Sequence, residues 1–354
     1  MSPRGVSDAG APRPPGRNVI QSRYPMIRSL LVILALILVS SLAEADDSSH
    51  RVGVIIPLTG PLGSYGSLVR QSIERVKMPG IQWTFEDEGC DPAKTVSAFK
   101  KLTEVDGISF ILGPCCGSPQ KALAPLLMKK ERLVVLPNAA PKSVLSLSGG
   151  KMFSVQYSVE AEASFLAEQM NLRDLHGVAI LAVENEFSQT MESSFLKTFH
   201  GNVAYSFHAP SFDAQHMKAA ALKLKSIDFD SIFLADISPL LLGFLPELRK
   251  LGIAQKPVFT NYGAQLPDVL AAGRDKSDGV MYSYPNVPDT EDALGYFPNL
   301  AAQILAIAVS GCNGKYACVV ETIKTNPHIE RARQPAGTIV LKKIENGKYV
   351  RLPE

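Results

Sequence analysis

Charge of one sign is what this chain most lacks. It holds 36 Lys and Arg against 34 Asp and Glu, a net of +2 over 354 residues. Five arginines against Asp8 and Glu44 put residues 1–45 at +3, so the remaining 309 residues (354 less 45) sit near −1. Such a balance gives no support to binding nucleic acid or an anionic membrane surface. Catalytic signatures are missing too. There is no Gly-x-Ser-x-Gly elbow, no Walker loop, no His-Glu-x-x-His and no Gly-x-Gly-x-x-Gly after a strand. Ser64 and Cys115 have no partner base in view, so no enzyme activity is expected. The six histidines show no ligand spacing, and no Cys-x-x-Cys stands among the five cysteines, so neither a metal nor a cofactor is expected. The successive acids Glu86, Asp87 and Glu88 alternate faces at a strand end and read as solvated charges or partners of a helix dipole rather than a metal cluster.

The apolar run Leu30–Leu38 is shorter than the roughly 20 residues that span a bilayer. Preceded by Arg28 and followed by Ala43-Glu44-Ala45, it reads as a cleaved signal peptide over residues 26–45. That places the mature chain in the periplasm. No Cys stands at the cleavage site, which argues against a lipid anchor. Residues 1–25 are rich in Pro, Gly and Arg and read as a disordered leader or, preferably, as sequence ahead of a true start at Met26.

Five cysteines in an exported chain point to disulfides. Cys312 and Cys318 enclose a short turn and are placed to pair locally. Cys90 would close a loop of about 26 residues with Cys116, worth roughly 3–4 kcal/mol in the chain-entropy description. On spacing alone the adjacent Cys115 and Cys116 leave its partner open. The cysteine left over is expected to be alkylatable.

From Arg51 onward, short apolar runs alternate with helical patterns. Strands are expected at Val52–Ile56, Ile81–Glu86, Ile108–Leu112 and Leu133–Leu136, with a helix opened by Asp91-Pro92. A second series after Gly150 places strands at Val178–Val183, Val203–Phe207, Ser231–Ala235, Pro257–Thr260 and Gly279–Tyr282. The tail reads as two helices and a hairpin turning at Glu345-Asn346-Gly347. This rhythm implies α/β architecture with parallel sheets covered by helices on both faces, and the mature length suits two lobes. In such sheets ligands bind at the carboxyl ends of strands. The loop RVGVIIPLTGPLGSYG (residues 51–66) ends one such strand and carries Tyr65, which offers a flat ring and one hydroxyl.

This opening stretch, with FEDEGCDPAK (85–94), LGPCCGS (112–118) and VVLPNAAP (134–141), resembles the periplasmic leucine/isoleucine/valine-binding protein family, the type I solute-binding proteins of ABC transporters. The resemblance is strong over residues 52–141, weaker but continuous to Tyr262, and poor towards the C-terminus. It implies two Rossmann-like lobes joined by a three-segment hinge. Lobe 1 would comprise residues 51–156 and about 285–328, and lobe 2 about 157–284 and 329–354. It implies a Cys90–Cys116 disulfide, a small amino acid-like, carboxylate or amide ligand, an ABC transporter permease as partner, and a monomer. The same fold also serves as the ligand-sensing subunit of signalling systems.

Carried over position by position, the resemblance nominates Tyr65 as a ligand contact. The contact loop reads Cys115, Cys116 and Gly117, without the family's hydroxyl, and Ser118 is the nearest replacement. Ala139 and Ala140 stand for the segment after the fourth strand, and Phe187 for a second-lobe Tyr. The acidic residue that holds an amino acid's ammonium falls at Tyr262, with Asp236 as the nearest substitute charge. A further aromatic falls near Ile237 and is absent. These departures weaken the grip on a zwitterion, because a buried ammonium needs a partner, and bring carboxylates or amides without an ammonium into view.

Overall fold

The structure of the protein, a computed structural model, describes residues 49–353, apart from 254, 289–291 and 335–336. The stretches expected to be a leader and a signal peptide, residues 1–25 and 26–45, lie outside the described residues.

The first sheet has five parallel strands: β1 (His50–Ile56), β2 (Ile81–Asp87), β3 (Phe110–Leu112), β4 (Leu133–Leu136) and β5 (Met152–Ser154), in the order β2-β1-β3-β4-β5. Alternation along the strands divides its side chains between two covered faces. Val52, Val54 and Ile56 join one core with Val69 and Ile73 of α1 (Gly63–Glu74). Ile55 joins another, with Ile111, Val134 and Leu136 under Phe99 of α2 (Pro92–Lys100) and Leu123 of α3 (Gly117–Leu123). A short α4 (Lys142–Leu147) leads to β5.

The chain then enters α5 (Val159–Asn171) and builds the second sheet from β6 (Gly177–Val183), β7 (Asn202–Ala209), β8 (Ser231–Leu234), β9 (Val258–Thr260) and β10 (Met281–Pro285). Helices α6 (Glu186–Thr198), α7 (Ala214–Lys223), α8 (Ser238–Lys250) and α9 (Pro267–Ala271) connect them. The chain returns through α10 (Ala293–Gly311), which packs against α1 and the first sheet. This helix is long and apolar enough to cross a membrane, but it is largely buried and serves as a core helix. After α11 (Tyr316–Lys324) and α12 (Pro327–Ala332) come the hairpin strands β11 (Ile339–Glu345) and β12 (Lys348–Arg351). They extend the second sheet antiparallel to β10, giving the order β12-β11-β10-β9-β8-β6-β7. Asn346 and Gly347 both take positive φ at the hairpin turn, as Asn-Gly allows.

Four elements escape the sequence pattern: β5, α4, α9 and α12. They span three to six residues, too few for a period to declare itself. The structure pairs Cys90 with Cys116 and Cys312 with Cys318, and Cys115 remains free.

Candidate functional site

Each sheet reverses its strand order beside its first strand, between β1 and β3 in one and between β6 and β8 in the other. Loops leaving the carboxyl ends at these points diverge and open a crevice. The two crevices face each other and enclose a cavity of about 510 Å³, within the range of small-molecule sites.

On the first-lobe side, the loop after β1 is folded around Asp87. Its Oδ1 accepts from the N–H groups of Leu58 (2.8 Å), Thr59 (3.1 Å) and Gly89 (3.0 Å). Gly66 lets α1 press onto this loop, since a Cβ there would stand 1.8 Å from the Pro57 carbonyl oxygen. That contact sets Tyr65, in the first turn of α1, against the cavity with its hydroxyl beside Cys115. The loop after β3 is pinned from behind. Glu88 Oε1 accepts the Cys115 N–H at 2.9 Å, and the Cys116 N–H is directed at the same carboxyl. Asn138 Nδ2 donates to the Cys115 carbonyl at 2.6 Å, and Gln120 Nε2 to that of Pro114 at 3.2 Å.

Glu88 is completely buried. This corrects its reading as a solvated acid: desolvation pushes its carboxyl up to about 8, against the opposing N–H bonds. Three acids in a row look like surface, and the loop that covers the third comes from residues 113–117. Cys115 is also buried, and burial raises its thiol well above the usual value. The expectation that the leftover cysteine is alkylatable therefore does not hold for the native protein. Glu88, Cys90 and Cys116 bring their ligand atoms within 4.8 Å of one another, but the two sulfurs are bonded together and offer no thiolate.

On the second-lobe side, Asn185 caps α6 by accepting the Ser188 N–H at 2.9 Å. Its Nδ2 donates to Asp236 Oδ2 at 2.6 Å, the Ser188 hydroxyl donates to the same oxygen, and the Ile237 N–H donates to Oδ1 at 2.6 Å. Burial pushes the Asp236 carboxyl up to about 6, tempered by these bonds. Both oxygens accept hydrogen bonds within its own lobe. Tyr262 opens a single 3₁₀ turn capped by Asn261. Its N–H donates to the buried Glu162 Oε1 at 3.2 Å, and its hydroxyl lies against the Asn138 side chain and the Ala139 N–H of the first lobe.

The cavity thus gathers Tyr65, Cys115, Cys116, Gly117, Ser118, Phe187, Asp236 and Tyr262 from the sequence candidates. Ala139 and Ala140 do not line it. Ala140 is packed into the first-lobe core, and Ala139 meets Tyr262 behind the wall. Among the lining residues that the sequence reading missed are Leu62, Asn138, Asn185, Phe212 and Leu266. All five sit within six residues of a strand's carboxyl end, so the strand-end rule applied to every strand reaches them.

Comparison with known proteins agrees with this geometry. The family described as periplasmic binding protein matches residues 49–297. The leucine-, isoleucine-, valine-, threonine- and alanine-binding protein of Pseudomonas aeruginosa is 20% identical over 273 residues, 72% of this chain and 71% of that one. The Leu/Ile/Val-binding protein BraC3 of Rhizobium johnstonii is 23% identical over 272 residues, 72% of each chain. Among solved structures, a leucine-binding protein from Thermotoga maritima superposes with a TM-score of 0.75 at 15% identity, over 86% of this chain and 98% of that one. A solute-binding protein of an ABC transporter from Rhodopseudomonas palustris, in complex with p-hydroxybenzoic acid, gives 0.74 at 17% identity, over 86% and 96%. With the family matched along most of its length and the two-lobed fold shared, this chain belongs to the periplasmic binding protein family, alongside the leucine/isoleucine/valine-binding proteins, and has their type I fold.

Proposed function

We propose that this chain is a periplasmic solute-binding protein that captures a small amino acid-like, carboxylate or amide ligand by hinge closure and delivers it to an ABC transporter permease. The observation that carries this reading is the cavity built jointly by the strand-end loops of both sheets, with Tyr65 and Ser118 on one side and Phe187, Asp236 and Tyr262 on the other. A ligand between two lobes favours the closed form by its differential affinity for it. Lobe 1 is read as residues 51–156 with about 285–328, and lobe 2 as about 157–284 with 329–354, so that the chain crosses between them three times. The protein works as a monomer after export and signal cleavage. Relatives binding branched-chain amino acids and a hydroxybenzoate frame the ligand's size.

The test is a thermal-shift screen of amino acids, aliphatic amides and aromatic acids on the mature protein, followed by small-angle scattering with any stabilising compound. The expected result is a raised melting temperature with a reduced radius of gyration. A stabilising compound that leaves the scattering profile unchanged at saturation counts against capture by closure.

A further inference from the structure

A second cavity, of about 450 Å³, shares no described lining residue with the cleft. Its wall is built by α4 and β5 beside the first sheet, and by two of the connections that carry the chain between the sheets. One connection is residues 155–158, between β5 and α5, which contributes Gln156 and Ser158. The other is the end of α12 with Arg333, ahead of β11. The charge of this cavity is opposite to that of the cleft. Its described lining includes Lys142 and Arg333 and no Asp or Glu, whereas the cleft has Asp213 and Asp236 and no Lys, Arg or His. Neither the Lys142 ammonium nor the Arg333 guanidinium has a partner among the described residues. One acid meets this wall: Glu160 Oε1 accepts the Lys142 N–H at 2.8 Å. Its Oε2 is buried without a partner, so it does not hold the ammonium. Two cations therefore stand against one carboxylate that does not itself line the space.

Uncommitted donors accompany the charge. Gln156 is 3% exposed, and its Nε2 has no hydrogen bond among the described residues. At most one of its two N–H groups can turn to the Tyr157 hydroxyl beside it. The Ser158 hydroxyl accepts the Ala161 N–H at 3.2 Å and donates to no described residue. A buried donor without an acceptor is costly, and an occupant that supplies one relieves the cost. Leu145, Met152, Phe153 and Ile329 add apolar surface to the same wall. From these residues we propose that this cavity is a second binding site, separate from the cleft, for a small organic anion: a carboxylate that takes hydrogen bonds from Arg333, Lys142 and the Gln156 amide, on an apolar body that packs against Phe153 and Ile329. Guanidinium suits a carboxylate because its fork of N–H groups matches the two oxygens. The proposal does not depend on which solute the cleft takes.

Titration calorimetry on the mature protein at pH 7.5 and low ionic strength tests it with named probes. These are isovalerate and benzoate, their neutral isosteres isovaleramide and benzamide, and inorganic phosphate. At least one carboxylate should show a component of binding whose affinity falls at least tenfold in Arg333→Ala and at least threefold in Lys142→Ala. Both positions are exposed, so these variants should fold. The same component should stay within twofold in Tyr65→Ala, which alters the cleft. The matching amide and phosphate should bind there at least tenfold more weakly. Carboxylate binding that is lost in Tyr65→Ala and kept in Arg333→Ala places the anion in the cleft, which overturns the proposal and leaves the solute-binding function standing. Absence of binding by both carboxylates overturns it as well. Phosphate binding as tight as the better carboxylate, with the same loss in Arg333→Ala, overturns the assignment to an organic anion.

Discussion

Lys121 and Glu186 form an ion pair at 2.6 Å across the mouth of the cleft, joining α3 under the first sheet to the start of α6 on the second. Ser64 of α1 donates to Asp268 of α9 at 2.8 Å, a second contact between the two sides. Lys121 is about half exposed, and exposed pairs of this kind contribute about 0–1 kcal/mol. The two sides of the cleft are therefore held together only weakly at this edge. Lys121→Ala should leave the melting temperature almost unchanged and weaken ligand binding by no more than about fivefold. The loss should shrink as salt is raised, because screening already weakens the pair. A salt-independent loss in titration calorimetry would contradict this account.

Gly117 gives a sharper test of closure. A Cβ at this position would lie 3.2–3.5 Å from the backbone and Cβ of Phe187, tighter than relaxed packing and facing the opposite lobe. Gly117→Ala should therefore act on the closed form alone. Affinity should fall at least tenfold, and scattering should show a smaller contraction with ligand, while thermal stability without ligand stays within a few degrees. Unchanged affinity would show that the lobes need not approach this closely.

These contacts mark how far the sequence could be read. The strands and their loops were legible because apolar runs of four to seven residues alternate with helical patterns, and binding residues follow strand ends. Eight of the ten ligand-binding candidates line one cavity for that reason. The partners of each side chain were not legible. Asp236 stands where a counter-charge is needed, yet its carboxylate is held by Asn185 and Ser188, about fifty positions earlier in the chain. Glu88 reads as one of three surface acids until the loop at residues 113–117 is folded over it. Local pattern reports which residues reach a site. It does not report which hydrogen bonds are already formed there.

The cysteines separate by environment. In the native protein the two disulfides should survive mild conditions, and Cys115 should resist alkylation, since it is buried and its thiol is held well above the usual value. Peptide mapping of unreduced protein should recover Cys90 with Cys116 and Cys312 with Cys318. Labelling of Cys115 should appear only after unfolding. Replacing Cys90 and Cys116 together by Ser should lower stability by about 2–4 kcal/mol in denaturant titration. Rapid labelling of Cys115 in the folded state would contradict the burial described here.

Stability should fall as pH rises through neutrality. Burial pushes the carboxyls of Asp236, Glu162 and Glu88 up to about 6, 7 and 8, whereas in the unfolded chain they titrate near 4. Between these limits the folded state binds more protons than the unfolded one, so the stabilising contribution is complete below about pH 4 and is lost as pH rises through the folded values. Each uncompensated proton gives a slope of about 1.4 kcal/mol per pH unit. These groups should therefore make the melting temperature higher at pH 5.5 than at pH 8.5. Glu162 offers the cleanest dissection. Its Oε1 accepts from the Ser283 hydroxyl at 2.6 Å and from the Tyr262 N–H, while its Oε2 has no partner. Glu162→Gln keeps an acceptor for both donors and removes the charge. It should stabilise the protein at pH 8.5, have little effect at pH 5.5, and flatten the profile between them. A variant that destabilises equally at both pH values would show that Glu162 acts through packing rather than through its ionisation.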